Sequence, residues 1–339
     1  MGYRIGSFNL YKFSLRSDEH IKKNMQKIAK IIRKADLDVV AIQEIFNKKA
    51  LDRLISELTD SERWEGRWAS PNSRSVSAAE GYAFIWKNAR LRLAENRDGK
   101  VFEPRILNQY KVDKSFGQKH LIRNPYYIRL TPAARSCNRS CKRELPLLNG
   151  PFAEIRLINT HIMFSKNRDE NESDNHDFSD LGAVSMRRNE FDILSKVVYP
   201  KYSDKTYDLM NGERDAPCMP AYTIMLGDYN LNLKSGTAQG SFLKPDEEII
   251  ELADERKRIV TVQGELTTLK SKKEGVSYSQ ADGYANNYDH FTYDEKRFEG
   301  ITLDVKRIEA VKECYGDDFD LYRKEVSDHL PIVLDLEFR

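Results

Sequence analysis

The chain has 339 residues, of which 40% are hydrophobic and 32% charged, a balance typical of soluble globular proteins and unlike that of disordered chains. Its 55 basic and 53 acidic residues leave a net charge of +2, so the overall field predicts no polyanionic partner, and nucleic-acid binding has to be argued from local features. No apolar run approaches the roughly 20 residues that span a bilayer, and no leader precedes the first predicted strand, which favours a cytoplasmic protein, or a secreted one if a leader has been removed.

Hydrophobic periodicity predicts strands and helices that alternate along the chain. A strand at 3–10, a helix at 18–34 and a strand at 38–44 follow one another, an order that favours two parallel strands joined by a crossover helix. Further strands are predicted at 81–87, 124–132, 152–161, 221–230, 287–294, 301–307 and 330–338, and further helices at 49–58, 183–198 and 245–256. No repeat or linker interrupts this pattern, so we expect one domain over residues 1–339, with two packed sheets covered by helices.

The four cysteines do not form a disulfide framework or a zinc site. Cys137 and Cys141 are spaced as C-x3-C, but Cys218 and Cys314 are isolated and supply no second ligand pair. The sequence therefore leaves a local disulfide or two free thiols at Cys137 and Cys141.

Polar side chains occur at the ends of predicted strands. Asn9, Glu44, His161, Asp228 and Asn230 end their strands, whereas Asp289, Asp328 and His329 lie at or just before the start of theirs. Each alone fits ordinary turn or packing chemistry, but open α/β sheets place their ligand sites at strand ends. Carboxylate and amide oxygens are ligands for Mg²⁺, Mn²⁺ or Ca²⁺, and histidines beside carboxylates suit acid–base catalysis near neutral pH. Together, a divalent ion, an imidazole and an activated water predict phosphoester hydrolysis.

The order N…QE…TH…GDxN…D…SDH, which runs from Asn9 to His329, resembles the endonuclease/exonuclease/phosphatase superfamily. This resemblance implies an α/β fold, a four-layer α/β sandwich in which two mixed β-sheets pack face to face with helices outside. It also implies a metal-dependent in-line attack of water on phosphorus. The implied metal ligands are Glu44, Asn9, Asp328 and Asp228, and the implied catalytic residues are His161, His329, Asp228, Asn230, Glu80 and Asp289.

Three stretches resemble the DNase I-like branch, namely AEGYAFIWK, LIRNPYYIRL and NNYDHFTYD. The resemblance implies that Glu80 orients His161, that Asp289 is the partner of His329, and that Arg123 grips a substrate phosphate. It also implies that Asn230, Thr267 and Thr268 contact phosphate oxygens. We therefore expect a monomeric, Mg²⁺-dependent endonuclease acting on nucleic acid, DNA above all, with Mn²⁺ or Ca²⁺ as alternative ions.

A phospholipid or phosphoinositide phosphodiesterase of the same superfamily, similar to neutral sphingomyelinases, is the alternative. Such an enzyme needs an exposed apolar lip, for which HIMF at 161–164 is a candidate. The chain is also longer than a compact DNase I-like core, with extra length near 133–150, 165–180, 200–220 and 270–285. The first of these insertions is basic, which fits either a phosphate-tracking arm or a solvated charged loop.

Overall fold

Two β-sheets lie face to face in the computed structural model, which describes residues 2–15, 22–59, 62–70, 80–95, 100–107, 121–133, 153–164, 184–205, 220–232, 257–270 and 283–338. The helix predicted at 245–256, the cysteines Cys137, Cys141 and Cys218, and most of the four predicted insertions lie outside these residues. Cys314 is a half-buried free thiol. None of the helices in the described part of the chain is long and apolar enough to cross a membrane.

The first sheet has six strands in the order β12-β13-β1-β2-β4-β3. These strands are β1 (Gly2–Phe13), β2 (Val39–Ile45), β3 (Trp64–Ala69), β4 (Gly81–Lys87), β12 (Ile301–Arg307) and β13 (Ile332–Phe338). β1 and β2 are parallel, with Ile5 opposite Val39, and the other neighbours are antiparallel. The predicted parallel pair with its crossover helix is therefore confirmed.

The second sheet has seven strands in the order β10-β11-β9-β8-β7-β5, with β6 paired to β7. These strands are β5 (Leu91–Leu93), β6 (Arg105–Ile106), β7 (Tyr126–Pro132), β8 (Glu154–His161), β9 (Ala221–Asp228), β10 (Ile259–Val262) and β11 (Asp289–Asp294). β8 and β9 are parallel, and their register ends with His161 opposite Asp228. The sheet therefore brings two predicted site residues to one edge.

Helices cover the outer face of each sheet. The first sheet packs against α1 (Met25–Lys34), α2 (Lys48–Leu58), α5 (Ala310–Tyr315) and α6 (Phe319–Glu325). The second packs against α3 (Val184–Ile193), a π-helical turn (Leu194–Val198) and α4 (Tyr199–Ser203). A third apolar core fills the space between the sheets. The four-layer α/β sandwich with two mixed sheets is thus confirmed.

Some elements differ from the prediction. The first helix begins at Met25 rather than near residue 18, because the side chain of Asn24 accepts a hydrogen bond from the Lys27 N–H at 3.1 Å and caps the helix there. The strands β3, β5, β6 and β10 and the helices α5 and α6 were not predicted. β3 carries Glu65 and Arg67 between its apolar residues and is only half-buried over most of its length, so its periodicity is weak. The others have two to seven residues, which is too short for a clear apolar period.

The space between the sheets changes from apolar to polar along the strands. Ile5 of β1 and Leu157 of β8 pack in the apolar core, and side chains two residues apart share a face. The same faces therefore continue to Asn9 on β1 and to Asn159 and His161 on β8. This alternation positions the polar ends of the two sheets opposite each other.

A buried amide cluster joins the two sheets below this polar edge. Gln43 Nε2 donates to Asn159 Oδ1 at 2.7 Å and to Ser7 Oγ at 3.2 Å. Asn159 Nδ2 in turn donates to the carbonyls of Ile42 at 3.0 Å and Ala83 at 3.2 Å. Because hydrogen bonds are directional, this cluster fixes the spacing and register of one sheet on the other.

Candidate active site

The first sheet contributes Asn9 and Glu44. Glu44 has a left-handed backbone with φ of 58°, and it lies where the pairing of β2 with β4 shifts between Ile42 and Ile45. A strained residue of this kind persists only when its surroundings hold it, and such residues cluster at functional sites. Here Asn9 Nδ2 donates to Glu44 Oε1 at 3.1 Å, and the Lys12 N–H donates to Glu44 Oε2 at 3.0 Å.

The second sheet contributes His161 and Asp228 from neighbouring parallel strands. Gly227 has φ of 145°, and a Cβ at this position would lie 1.9 Å from the Thr160 carbonyl oxygen. Only glycine therefore fits before Asp228. After the strand, Asn230 has φ of 50°, and its N–H donates to Asp228 Oδ1 at 2.8 Å, which fixes the carboxylate.

The two sheets meet at the carboxylate of Asp228. Asn9 Nδ2 from the first sheet donates to Asp228 Oδ2 at 2.9 Å. The same oxygen lies 3.5 Å from His161 Nε2 and 3.6 Å from His329 Nε2. His161 Nε2 is also 3.9 Å from Glu44 Oε1. Residues from both sheets therefore form one site.

His161 belongs to a chain of three charged groups. Its Nδ1 lies 2.6 Å from Glu80 Oε1, and Arg123 Nη2 donates to Glu80 Oε2 at 2.6 Å. Burial and Arg123 lower the pKa of His161, but Glu80 and Asp228 outweigh them and the pKa is raised. His161 is thus more readily protonated than an ordinary histidine. Arg123 Nη1 is buried and has no hydrogen-bond partner among the described residues.

His329 has its own acid. Its Nδ1 lies 2.8 Å from Oδ2 of the fully buried Asp289. Burial alone would lower the pKa of His329, but the negative charges of Asp289 and Asp228 raise it well above its usual value. His329 therefore holds its proton more readily than an ordinary histidine. Burial also raises the pKa of Asp228, whereas the two imidazoles oppose that rise.

Comparison with known proteins identifies the fold. No protein-family model matches the sequence, and no curated protein is significantly similar to it. Solved structures do match. An endonuclease/exonuclease/phosphatase from Bacteroides vulgatus is 14% identical, with 100% of each chain covered and a TM-score of 0.52. D. rerio TDP2, humanized by 14 mutations, is 14% identical, with 99% of each chain covered and a TM-score of 0.51. The chain has the endonuclease/exonuclease/phosphatase fold.

A third match to this fold is an endonuclease/exonuclease/phosphatase from Beutenbergia cavernae DSM 12333. It is 11% identical, with 99% of this chain and 72% of that chain covered and a TM-score of 0.51. At such low identities the similarity lies in the fold alone. The expected endonuclease/exonuclease/phosphatase resemblance is confirmed at that level.

Oxygen atoms suited to a divalent cation are present at the edge of the fold where the sheets meet. Glu44 and Asp228 both contact Asn9 Nδ2, and Asp328 Oδ1 is buried without a hydrogen-bond partner. Such an orphaned carboxylate oxygen fits a hard cation like Mg²⁺. Burial lowers the pKa of Lys23 to about 8, while Asp328 and Glu44 together oppose this, so both acids lie near one ammonium group.

A second set of possible ligand atoms lies nearby. Single atoms of Asp228, Asp289 and His329 lie within 4.8 Å of one another, and all three residues are buried. The buried carboxylates of Asp228 and Asp289 are therefore candidate cation ligands, beside those of Glu44 and Asp328.

The remaining predicted residues support the site from behind. The Thr267 hydroxyl is fully buried and accepts hydrogen bonds from the N–H groups of Tyr288 at 3.1 Å and Asp289 at 3.2 Å. Thr268 pairs with His329 as an isolated β-bridge, and its hydroxyl accepts the Asn286 N–H at 2.9 Å. Both threonines thus hold the Asp289–His329 pair in position. Their contact with a phosphate stays a prediction.

Asn230 also has a structural contact. Its Nδ2 donates to the Ile162 carbonyl at 2.8 Å, which ties the turn after β9 to the chain just beyond His161. This contact leaves the second amide hydrogen and the amide oxygen of Asn230 unused. The predicted hold of Asn230 on a phosphoryl oxygen stays a prediction.

Two residues that the sequence did not single out hold the histidines. The Tyr82 hydroxyl accepts the His161 N–H at 3.1 Å. The Ser327 hydroxyl donates to the Asn9 carbonyl at 2.7 Å and accepts the His329 N–H at 3.0 Å. Ser327 lies in the VSDH segment and Tyr82 in the EGY segment, so both were within recognised stretches. Their roles depend on contacts between distant strands, which a sequence pattern does not reveal.

Proposed function

We propose that this chain is a divalent-metal-dependent phosphodiesterase of the endonuclease/exonuclease/phosphatase superfamily, and that it cleaves nucleic-acid phosphodiester bonds as a DNase I-like endonuclease. The observation that carries the proposal is the position of one carboxylate oxygen of Asp228, 3.5 Å from His161 Nε2 and 3.6 Å from His329 Nε2, with each imidazole bonded to its own acid. The similarity to proteins described as endonuclease/exonuclease/phosphatase supports phosphoester hydrolysis.

Asp228 would orient and deprotonate the attacking water. It is buried and acts as a hydrogen-bond acceptor on both oxygens, from Asn230 and Asn9, so its direction is set before a substrate arrives. The raised pKa of His329 favours its protonated form, which suits stabilisation of the negative pentacovalent phosphorus better than proton removal. Asn230 would add a neutral hydrogen bond to a phosphoryl oxygen.

His161 would protonate the leaving oxygen. Its raised pKa keeps the proton available, and the Glu80 carboxylate at 2.6 Å fixes the ring so that Nε2 faces the reacting atoms. Arg123 bonds Glu80 through Nη2, whereas its buried Nη1 has no partner among the described residues and is a donor for a substrate phosphate.

A divalent cation, Mg²⁺ or in its place Mn²⁺ or Ca²⁺, would be held by oxygens of Glu44, Asp328, Asp228 and Asn9. When bound it would neutralise the charge that develops on the phosphoryl oxygens. In the present arrangement Asn9 presents Nδ2 to Glu44 and Asp228, and its Oδ1 accepts the Tyr11 N–H at 2.9 Å. Rotation of this amide would turn its oxygen toward the two acids.

Plasmid nicking tests the proposal. Purified protein is incubated with supercoiled plasmid in Mg²⁺ or EDTA, beside His161→Ala. Asp304→Ala is a control, because that side chain lies on the exposed strand β12 and is 67% exposed. We expect Mg²⁺-dependent nicking that survives Asp304→Ala and falls by about 10²- to 10⁴-fold in His161→Ala.

The same proteins are then assayed on sphingomyelin and on inositol phosphates. Hydrolysis of either, with no nicking of plasmid and no cleavage of RNA, would replace the nuclease proposal by the lipid or phosphoinositide alternative. Nicking that persists in EDTA or in His161→Ala would show that the activity comes from another site or a contaminant.

A further inference from the structure

An exposed aromatic side chain lies beside the candidate active site. Five large hydrophobic side chains in the described residues are exposed, and Phe164, at 40%, is the aromatic one among them. It follows His161 by three residues, so it lies within about 10 Å of the site along the chain. The Ile162 carbonyl, between the two, accepts the hydrogen bond from Asn230.

One face of the Phe164 ring is covered by a cation. The Arg187 guanidinium lies 4.6 Å from the ring centroid, and Arg187 itself is only 5% exposed. Phe164 is nevertheless 40% exposed, so the buried guanidinium covers only part of its surface. The arrangement is therefore a partly exposed aromatic ring, called here the aromatic plate, with a positive charge against it.

The helix that carries Arg187 also contacts the segment next to Arg123. Arg187 and Glu190 are three residues apart on α3, so their side chains lie on one face of the helix. The Glu190 carboxylate accepts the Ile122 N–H at 2.6 Å, next to Arg123. Arg123 in turn donates to Glu80. The ring of Phe164 and the phosphate-binding side of the site are thus fixed to one support.

We infer that Phe164 is a stacking platform for an unpaired nucleobase of the nucleotide next to the scissile phosphate. The inference rests on the proposed nuclease function and specifies the substrate further. Any base presents a flat π-face, so stacking tolerates all sequences, and stacking of a base on an aromatic side chain is a main source of affinity for single strands. Since a paired base is stacked on its own neighbours, the platform favours single-stranded or unpaired nucleotides.

Binding to short oligonucleotides tests the platform separately from catalysis. The parent protein is His161→Ala, measured in Mg²⁺. It is titrated with an oligothymidylate that carries 2-aminopurine at one position. A matched, end-labelled oligothymidylate that is abasic at the same position is titrated for comparison. We expect the parent to bind the base-bearing strand about tenfold more tightly than the abasic strand. Adding Phe164→Ala removes this difference.

Three further variants, each in the same parent, define the contact. Phe164→Trp keeps a flat ring and retains the preference, whereas Phe164→Leu keeps apolar area without a π-face and loses it. Val197→Ala truncates another exposed apolar residue, 47% exposed on the π-helical turn, and leaves binding unchanged. Thermal melting confirms that each variant is folded, and fluorescence of 2-aminopurine is quenched in the parent and in Phe164→Trp.

The outcomes separate the inference from the function. If the Phe164→Ala and parent proteins show the same preference for the base-bearing strand, or if neither shows any, the inference is overturned. The same holds if Phe164→Leu matches the parent, or if Phe164→Ala affects binding to sphingomyelin vesicles and not to oligonucleotides. In a further outcome, the wild-type protein cleaves no nucleic acid while the preference for the base-bearing strand still depends on Phe164. That result would support the stacking platform and reject the proposed nuclease function.

Discussion

β8 carries a buried charge cluster at each end, and the two clusters differ in how completely their atoms are paired. At its start, Glu154 bonds Arg129 twice at 2.7 Å and Arg156 once at 2.6 Å, and Arg156 also donates to the Tyr202 and Lys205 carbonyls. None of these side-chain atoms is buried without a hydrogen-bond partner. This cluster is saturated by the protein itself.

At the other end of β8, the candidate site keeps buried polar atoms without partners. Asp289 Oδ1, Asp328 Oδ1 and Arg123 Nη1 are of this kind. Burying such atoms is costly unless something else satisfies them. Buried charge alone therefore does not distinguish a site from a structural cluster. These two clusters differ in pairing, and the unsatisfied oxygens and guanidinium nitrogen at the candidate site are groups that a cation and a phosphate could satisfy.

The first and largest expected effect is on activity. Asp228→Asn keeps the shape of the side chain but removes the base, so we expect kcat to fall by about 10³-fold or more. Because Asp228 accepts from both Asn9 and Asn230, an amide at this position leaves one donor without an acceptor, so the unfolding free energy in EDTA should fall by no more than about 1–3 kcal/mol. Plasmid nicking and urea denaturation measure the two effects. A large loss of stability would mean that the site is a structural cluster after all.

The second effect is on stability. Glu154→Gln leaves Arg129 and Arg156 buried without their carboxylate, and breaking a buried ion pair costs about 3–5 kcal/mol. The kcat of the remaining folded protein should stay within about twofold, because the cluster lies at the opposite end of the strand. Urea denaturation and nicking by the same preparation test this. An activity loss like that of Asp228→Asn would erase the distinction between the two ends.

The sequence predicted the candidate site at the end of β8 but not the charge cluster at its start. His161 stands out because a polar residue ends an apolar strand, and its motif partners lie in order along the chain. Glu154, Arg129 and Arg156 fall in correctly predicted strands, but Arg129 and Arg156 become cross-strand neighbours only through the register of β7 with β8. Such a register is set by tertiary packing and is not written in either strand.

The backbone geometry at the site also could not be predicted from the sequence. The stretch VVAIQE predicts a strand with Glu44 at its end, but not the left-handed turn that swings Glu44 toward Asn9. The close approach of Gly227 to Thr160 likewise depends on the neighbouring strand. The residue types of the site could thus be predicted, and the contacts that orient them could not.

The third effect is on the pH dependence of stability, which should differ between the buried structural histidine and the two histidines of the candidate site. Burial lowers the pKa of His290 to about 4, and its Nε2 donates to the Leu231 carbonyl at 2.8 Å. The unfolded chain takes up this proton near pH 6.5 and the folded one does not. Stability from His290 is therefore lost as the pH falls, by about 2 kcal/mol between pH 8 and pH 5.

The contribution of His161 and His329 to stability changes with pH in the opposite direction. Their pKa values are raised in the folded protein, so the stability they contribute is full below about pH 6.5 and is lost as the pH rises through the folded values. In EDTA we expect maximum stability near pH 6.5. His290→Gln should flatten the acid side of the profile and His329→Gln the alkaline side, as measured by urea denaturation at a series of pH values. A profile that neither variant changes would contradict the assignment.

The smallest effect is expected at Ser327, which is buried and links the two halves of the site through Asn9 and His329. Ser327→Ala leaves a carbonyl and an N–H with one partner fewer, which costs about 1–2 kcal/mol of stability. The misplacement of His329 should lower kcat by about tenfold. Ser195→Ala is the matched control, because that serine is also fully buried and donates to the Phe191 carbonyl at 2.7 Å. It should lose a similar amount of stability with kcat unchanged. If both serine variants lower kcat equally, the effect follows from stability alone, and Ser327 has no special part in positioning the histidine.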